Sequence, residues 1–337
     1  MKALILEKPG HASVQTIPPP SVSNADILLK VRMVGLCGTD LSSFRGTNPL
    51  VSFPRIPGHE VSATVVQNDG GDRELAAGTD VALCPYKSCG KCSSCLRGRP
   101  NACQSNQTLG VQRDGALTEF IAMPRDKLYP ARLKTRELCV VEPLAVACHA
   151  VGRGKITAND TVAIFGCGGV GLGLVAAASS RGARTICVDV NDEKLELARL
   201  AGGAHTINSA SEPLHDRLLK FTEGRGPDVV IEAVGSPATF RAAVEEVAFS
   251  GRVVYLGFAK EPVTYETRQF VLKELEVNGS RNAQPEDFRE AIKLLETRRF
   301  PVDEAVSAII PLGEAPTALR SWSENPSRFK KILVAMD

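Results

Sequence analysis

The sequence predicts an α/β protein in which a doubly wound parallel sheet is joined to a second, β-rich domain. Short apolar runs cut by Gly, Pro and Asn fill the chain to about residue 130, and from about Glu137 strand and helix patterns alternate. Length agrees with this reading, because 337 residues at 43% hydrophobic content suffice to bury two ordinary cores.

In the first part, the apolar runs at 26–34, 61–66, 81–83 and 119–123 read as strands between turns. The second part opens on a continuous apolar strand at 162–165, a glycine turn and an Ala-rich helix to Ser180. A strand at 185–190, a helix at 192–200, a strand at 228–234, a helix at 238–249 and strands at 252–258 and 275–280 continue the alternation. Such alternation builds a parallel sheet with helices on both faces. Pro285 suits the first turn of a helix over 286–298, whose Phe288, Ala291, Ile292, Leu294 and Leu295 share one side. A strand at 331–336 closes the chain. The expected division is a β-rich domain of residues 1–147 with 283–337, and a sheet domain of 148–282 between them.

Charge and composition narrow the function. With 40 Lys+Arg against 38 Asp+Glu the formal charge is +2, and 5% aromatic content leaves few platforms for stacking bases, which argues against nucleic acid. The start, with Lys2, four apolar residues and then Glu7, predicts no secretory leader and a cytoplasmic protein. The uncharged stretch between Asp160 and Arg181 is long enough for a membrane span, but its five glycines between 166 and 173 point to a turn instead.

Of the ten cysteines, Cys89, Cys92, Cys95 and Cys103 stand two, two and seven residues apart in a loop rich in Gly, Lys, Ser and Arg. One short loop with this spacing wraps four thiolates around Zn²⁺. An iron–sulfur cluster competes, but its fourth cysteine follows after about three residues and precedes Pro, whereas here Ala102 and Gln104 flank the last one. The set predicts a closed, structural zinc. Cys84, Cys139, Cys148, Cys167 and Cys187 lie in apolar runs and read as core residues, as does His149 in a helix expected to pack.

Gly166, Gly168 and Gly171 directly follow the strand at 162–165 and open the next helix. Asp189 ends the following strand, 18 residues beyond Gly171, where a carboxylate accepts from adenosine ribose hydroxyls and repels a 2′-phosphate. This is the Rossmann fingerprint, and it predicts NAD. Gly169, Val170 and Lys194 complete the expected cofactor contacts.

A third group is scattered: Cys37 in GLCGTD, His59 and Glu60 in PGHE, and Glu142 in VEPL. Each alone has an ordinary structural reading, a small core thiol or a satisfied histidine. Together with the four-cysteine loop and the glycine fingerprint, in this order, they resemble the zinc-dependent medium-chain alcohol dehydrogenase family over essentially the whole chain. The resemblance implies a GroES-like catalytic domain and a second, catalytic zinc, making two per chain. Cys37 and His59 would be its ligands, with Glu60 or Glu142 as the carboxylate ligand. It makes Asp40 the group that fixes the ring of His59, and Thr39 the hydroxyl that meets the substrate oxygen. Ser42 stands where many members carry the outer histidine of a proton relay; water near Glu60 or Glu142 is the alternative exit.

Glu142, in place of the second cysteine of ethanol-oxidising members, resembles the polyol and sugar-acid branch, which includes sorbitol, L-threonine and L-idonate dehydrogenases. Arg281 and Asn282, after the last sheet strand, and Arg45 and Asn48, after the Cys37 loop, are read as candidate substrate contacts, because guanidinium pairs bidentately with carboxylate. These segments resemble L-galactonate and L-gulonate 5-dehydrogenases. The expected enzyme moves a hydride between such a secondary alcohol and NAD, as a homodimer or homotetramer, with a threonine- or sorbitol-type dehydrogenase as the runner-up. A non-catalytic NAD(H)-sensing protein that keeps only structural zinc is the reading from another class.

Overall fold

The computed structural model describes residues 1–23, 25–68, 73–326 and 328–336. They form two compact units, Met1–Glu142 with Val302–Asp337, and Pro143–Pro301.

The first unit is built on a seven-stranded sheet. Its order is Ala308–Pro311, Ile332–Ala335, Asp26–Leu36, Glu60–Gln67, Asp80–Leu83 and Leu128–Pro130, with Phe120–Pro124 also paired to Asp26–Leu36. Alternation in Asp26–Leu36 sends Ile27, Leu29 and Val31 into the core, where they meet Val61, Ala63, Val81 and Met123. A register shift between Val31 and Met33 sets Gly35 opposite Glu60, so the end of this strand delivers both halves of a polar cluster to one place. The helix Gly38–Phe44 follows at once and buries Leu41 and Phe44.

The second unit is a six-stranded parallel sheet in the order His205–Asn208, Arg184–Asp189, Thr161–Phe165, Val229–Glu232, Arg252–Tyr255 and Glu276–Gly279. Strand order reverses beside Thr161–Phe165, the place where such sheets bind ligands at the carboxyl ends of their strands. The uncharged stretch resolves into that strand and the 12-residue helix Gly169–Ser180. Among the described residues no helix is long and apolar enough to cross a membrane.

Two sequence expectations need adjustment. The chain returns to the first unit at Val302, not at residue 283, because helix Pro285–Glu296 packs on Gly169–Ser180 of the second unit. The first boundary falls at Glu142, five residues before the expected 147, inside the helix Val141–Arg153. His149 on that helix is buried, with Nδ1 2.7 Å from Asp287, and the five apolar-run cysteines are buried as expected.

Candidate active site

In the first unit, the turn before helix Gly38–Phe44 presents Cys37, and the start of strand Glu60–Gln67 presents His59 and Glu60. One ligand atom from each of the three lies within 4.8 Å of the other two. Asp40 joins the segments: its Oδ2 accepts from Cys37 N at 2.9 Å and its Oδ1 from Gly58 N at 3.0 Å. The same Oδ1 stands 3.8 Å from His59 Nδ1, a buried nitrogen that makes no hydrogen bond. Asp40 thus ties the two segments together and lies beside the histidine ring.

Glu142 completes the cluster from the start of helix Val141–Arg153. It is buried, and burial, with Glu60 nearby, pushes its carboxyl above the ordinary range, while His59 pulls it down. Burial disfavours a charged ring at His59, yet Asp40, the Cys37 thiol and Glu142 lift it well above the usual histidine value. A thiol, an imidazole and two carboxylates in a nearly dry pocket are a donor set that attracts a divalent cation, and they fit a catalytic zinc with three protein ligands.

Two residues that the sequence reading missed belong to this cluster. Lys331, just before strand Ile332–Ala335, ion-pairs with Glu60 Oε2 from 271 residues away. Tyr86, on a two-residue strand paired with Gln107–Thr108, donates its hydroxyl to Glu142 Oε1. Thr39 and Ser42 lie half-buried on helix Gly38–Phe44. Arg45 and Asn48 make local bonds. Arg45 Nε donates to Ser323 Oγ at 3.0 Å, tying its helix to Ala315–Glu324. Asn48 donates to Ser43 Oγ and accepts from Leu50 N.

The four cysteines of the loop also converge, with all four sulfurs within 4.8 Å of one another. Cys92 Sγ lies 3.5 Å from Cys95 Sγ and 3.9 Å from Cys103 Sγ. Backbone amides of Cys95 and Gln104 pull the Cys92 thiol down to about 6, the direction that favours a metal-binding thiolate. With no other residue type in the set, the site fits a closed tetrahedral zinc.

In the second unit, Gly166 follows strand Thr161–Phe165 with φ +94°, a conformation open to glycine, and a side chain at Gly171 would collide with Gly166 O. Above Gly168 and Gly169, by contrast, nothing lies within 4 Å of where a β-carbon would be. Val170 continues the first turn of helix Gly169–Ser180, so the open space lies at a helix N-terminus, where a pyrophosphate fits. Asp189 ends the neighbouring strand, but its carboxylate is already engaged. Oδ2 accepts from Cys167 N at 2.8 Å, Oδ1 from Val190 N at 2.8 Å and Asn191 N at 3.1 Å, and Lys194 Nζ is 3.9 Å from Oδ1. Its first task is to pin the glycine turn; one lone pair of Oδ2 remains for a ribose hydroxyl. Arg281 is exposed just past strand Glu276–Gly279, and Asn282 takes φ +54° in the same turn.

Comparison with known proteins gives a consistent picture. Residues 23–133 match the alcohol dehydrogenase GroES-like domain and residues 169–297 the zinc-binding dehydrogenase domain. An uncharacterized zinc-type alcohol dehydrogenase-like protein of Haemophilus influenzae is 35% identical, covering 98% of both chains. L-galactonate-5-dehydrogenase of Escherichia coli K12 is 30% identical over 99% of this chain and 98% of its own, and sorbitol dehydrogenase of Bacillus subtilis is 34% identical over 77% and 76%. Among solved structures, an Escherichia coli CFT073 alcohol dehydrogenase complexed with NADH superposes with a TM-score of 0.91 at 28% identity, covering 99% of each chain. A zinc-binding dehydrogenase from Sinorhizobium meliloti 1021 bound to NADP gives 0.91 at 32% identity, covering 99% and 98%.

Proposed function

The chain belongs to the zinc-type medium-chain alcohol dehydrogenase family, oxidoreductases acting on CH–OH groups, and we propose that it moves a hydride between a secondary alcohol of a sugar acid or polyol, such as L-galactonate or L-gulonate, and NAD. The observation that carries the proposal is the mutual approach of Cys37, His59 and Glu60 within 4.8 Å, backed by Glu142. Three protein donors leave a position for substrate, whereas four cysteines do not.

Cys37 and His59, with Glu60 or Glu142, would hold a zinc ion that would supply a Lewis acid for the reacting hydroxyl, and a bound nicotinamide would be the hydride acceptor. The chain's own residues do the rest. Asp40 orients His59, Lys331 neutralises Glu60, and the Thr39 hydroxyl receives the substrate proton and passes it towards Ser42 or a water beside Glu142. Gly166, Gly168, Gly169 and Gly171 admit the pyrophosphate, while Asp189 and Lys194 meet the ribose. Arg281 and Asn282 are the candidate grip on a substrate carboxylate.

NAD is favoured over NADP by the Asp189 carboxylate, which repels a 2′-phosphate. The proposal also includes two zinc ions per chain, a homodimer or homotetramer, and a cytoplasmic setting that keeps the metal-binding thiols reduced. Likeness to sorbitol dehydrogenase supports a second reading, a neutral polyol as substrate. A non-catalytic NAD(H) sensor remains the contrast, since it has no use for the three-donor cluster.

The test is metal analysis followed by an NAD-reduction screen over aldonic acids, polyols and hydroxyamino acids. Two zinc ions per chain and turnover of an aldonic acid are expected. One zinc and no turnover of any alcohol would leave the sensor; turnover of polyols alone would select the second reading.

A further inference from the structure

Glu232 ends strand Val229–Glu232 of the second unit and is fully buried, far from any task assigned so far. Its Oε1 accepts from Val234 N at 2.9 Å, Gly235 N at 2.8 Å and Thr239 Oγ1 at 2.7 Å. Its Oε2 is buried without a hydrogen-bond partner, and a β-carbon on Gly257 would lie 2.5 Å from it. Three donors on one oxygen suit an ionised carboxylate, and a proton on Oε2 would find no acceptor. None of the three partners is a cation. A dry charge with no counter-charge is costly unless a positive group comes to meet it.

The order of the sheet says which positive group that is. Strand Thr161–Phe165 runs between Arg184–Asp189 on one side and Val229–Glu232 on the other. With a pyrophosphate at the Gly166–Gly171 turn and an adenosine ribose at Asp189, the nicotinamide half of a dinucleotide is left the opposite side, at the carboxyl ends of Val229–Glu232 and Arg252–Tyr255. Glu232 fastens both of those ends. Its backbone O accepts from Leu256 N at 2.9 Å and Gly257 N at 3.1 Å, and Val234 just after it occupies the space that a side chain at Gly166 would need. The nicotinamide ring is cationic in NAD+ and neutral in NADH, so a buried negative charge beneath it does not treat the two alike.

We propose that the sealed carboxylate of Glu232 sets the redox preference of the cofactor site: its charge strengthens binding of NAD+ relative to NADH, and so favours the form that takes hydride from an alcohol. Glu232 acts by its field and not by contact, because both of its oxygens are closed off by the loops that follow strands Val229–Glu232 and Arg252–Tyr255. The inference rests on the reading of the Gly166–Gly171 turn as a dinucleotide site.

Calorimetric binding tests it without turnover, on zinc-loaded full-length protein with NAD+, NADH and ADP-ribose, which lacks the nicotinamide. Glu232→Gln keeps an oxygen for the three donors and removes the charge. Its affinity for NAD+ is expected to fall by about tenfold relative to NADH, the order of a charge pair inside protein, while ADP-ribose binds as before. A tenfold change in that ratio equals about 30 mV on a two-electron couple. Thr239→Val keeps the charge but strips one of the dipoles that offset it, so the ratio should move the other way, a change of sign that a loosened loop does not produce. Equal losses for all three ligands, or an unchanged ratio in either variant, overturn the proposal. Wild-type protein that binds none of the three overturns the dinucleotide reading itself, a distinct result.

Discussion

Glu60 fills the space that a side chain at Gly35 would need. The two residues are directly paired across strands Asp26–Leu36 and Glu60–Gln67, and an added β-carbon on Gly35 collides with Oε2 of Glu60, the oxygen that meets Lys331. Gly35→Ala is therefore expected to push Glu60 away from Cys37 and His59. Zinc content should fall from two to one per chain while the four-cysteine loop keeps its ion; metal analysis with and without a thiol-modifying reagent checks this.

Lys331 and Glu60 form a nearly dry pair, with side chains 12% and 2% exposed. Removing the cation leaves a buried carboxylate uncompensated, so Lys331→Ala should destabilise metal-free protein by about 3 kcal/mol in urea unfolding. Added zinc should recover part of the loss, because the ion supplies the missing charge. Equal destabilisation with and without zinc would separate Lys331 from the metal cluster.

Cys92→Ser addresses the other metal. Binding free energy at a closed zinc site is folding free energy, so the variant should melt at a lower temperature before NAD affinity changes. An unchanged melting temperature with full metal content would remove the structural-zinc assignment.

Asp189→Ser acts on two things together. It takes away a ribose acceptor and the anchor for the amides of Cys167, Val190 and Asn191. KM for NAD should rise by about tenfold or more, the size of a lost charge-assisted hydrogen bond, and the NAD/NADP preference should narrow. Wild-type protein that uses NADP better than NAD would contradict the assignment.

For substrate class, Arg281→Ala should lower kcat/KM on an aldonic acid by about 30-fold or more and on a neutral polyol far less. Equal losses on both would make Arg281 a structural or cofactor residue.

Much of this was legible before any coordinates because the decisive residues sit in short local motifs. Cys37 and Asp40 share one helix start, His59 and Glu60 one strand start, and the glycine turn lies between a wholly buried strand and the helix it opens. What escaped had no local signal. Lys331 reads as an ordinary basic residue until the fold brings it to Glu60, and Tyr86 as one aromatic beside a cysteine loop. Strand His205–Asn208 was missed because Ile207 is its one fully buried residue, as edge strands allow. Strand Ala308–Pro311 was missed for a similar reason, with Ile309 left half exposed.

The single carboxylate of Asp40 grips the amides of Cys37 and Gly58, twenty-one residues apart, one on each oxygen. The proposed catalytic site is thus cast in backbone hydrogen bonds that need no ion to persist. The four-cysteine loop is braced by backbone bonds too, Leu96 N to Cys92 O, Arg99 N to Ser94 O and Cys103 N to Pro100 O, but its four sulfurs crowd within 4.8 Å of one another and as thiolates repel once a metal leaves. Chelation should therefore leave two different scars: a vacated socket that refills at once, and a ring of thiolates whose repulsion loosens the loop around it, so that activity and stability return on separate clocks.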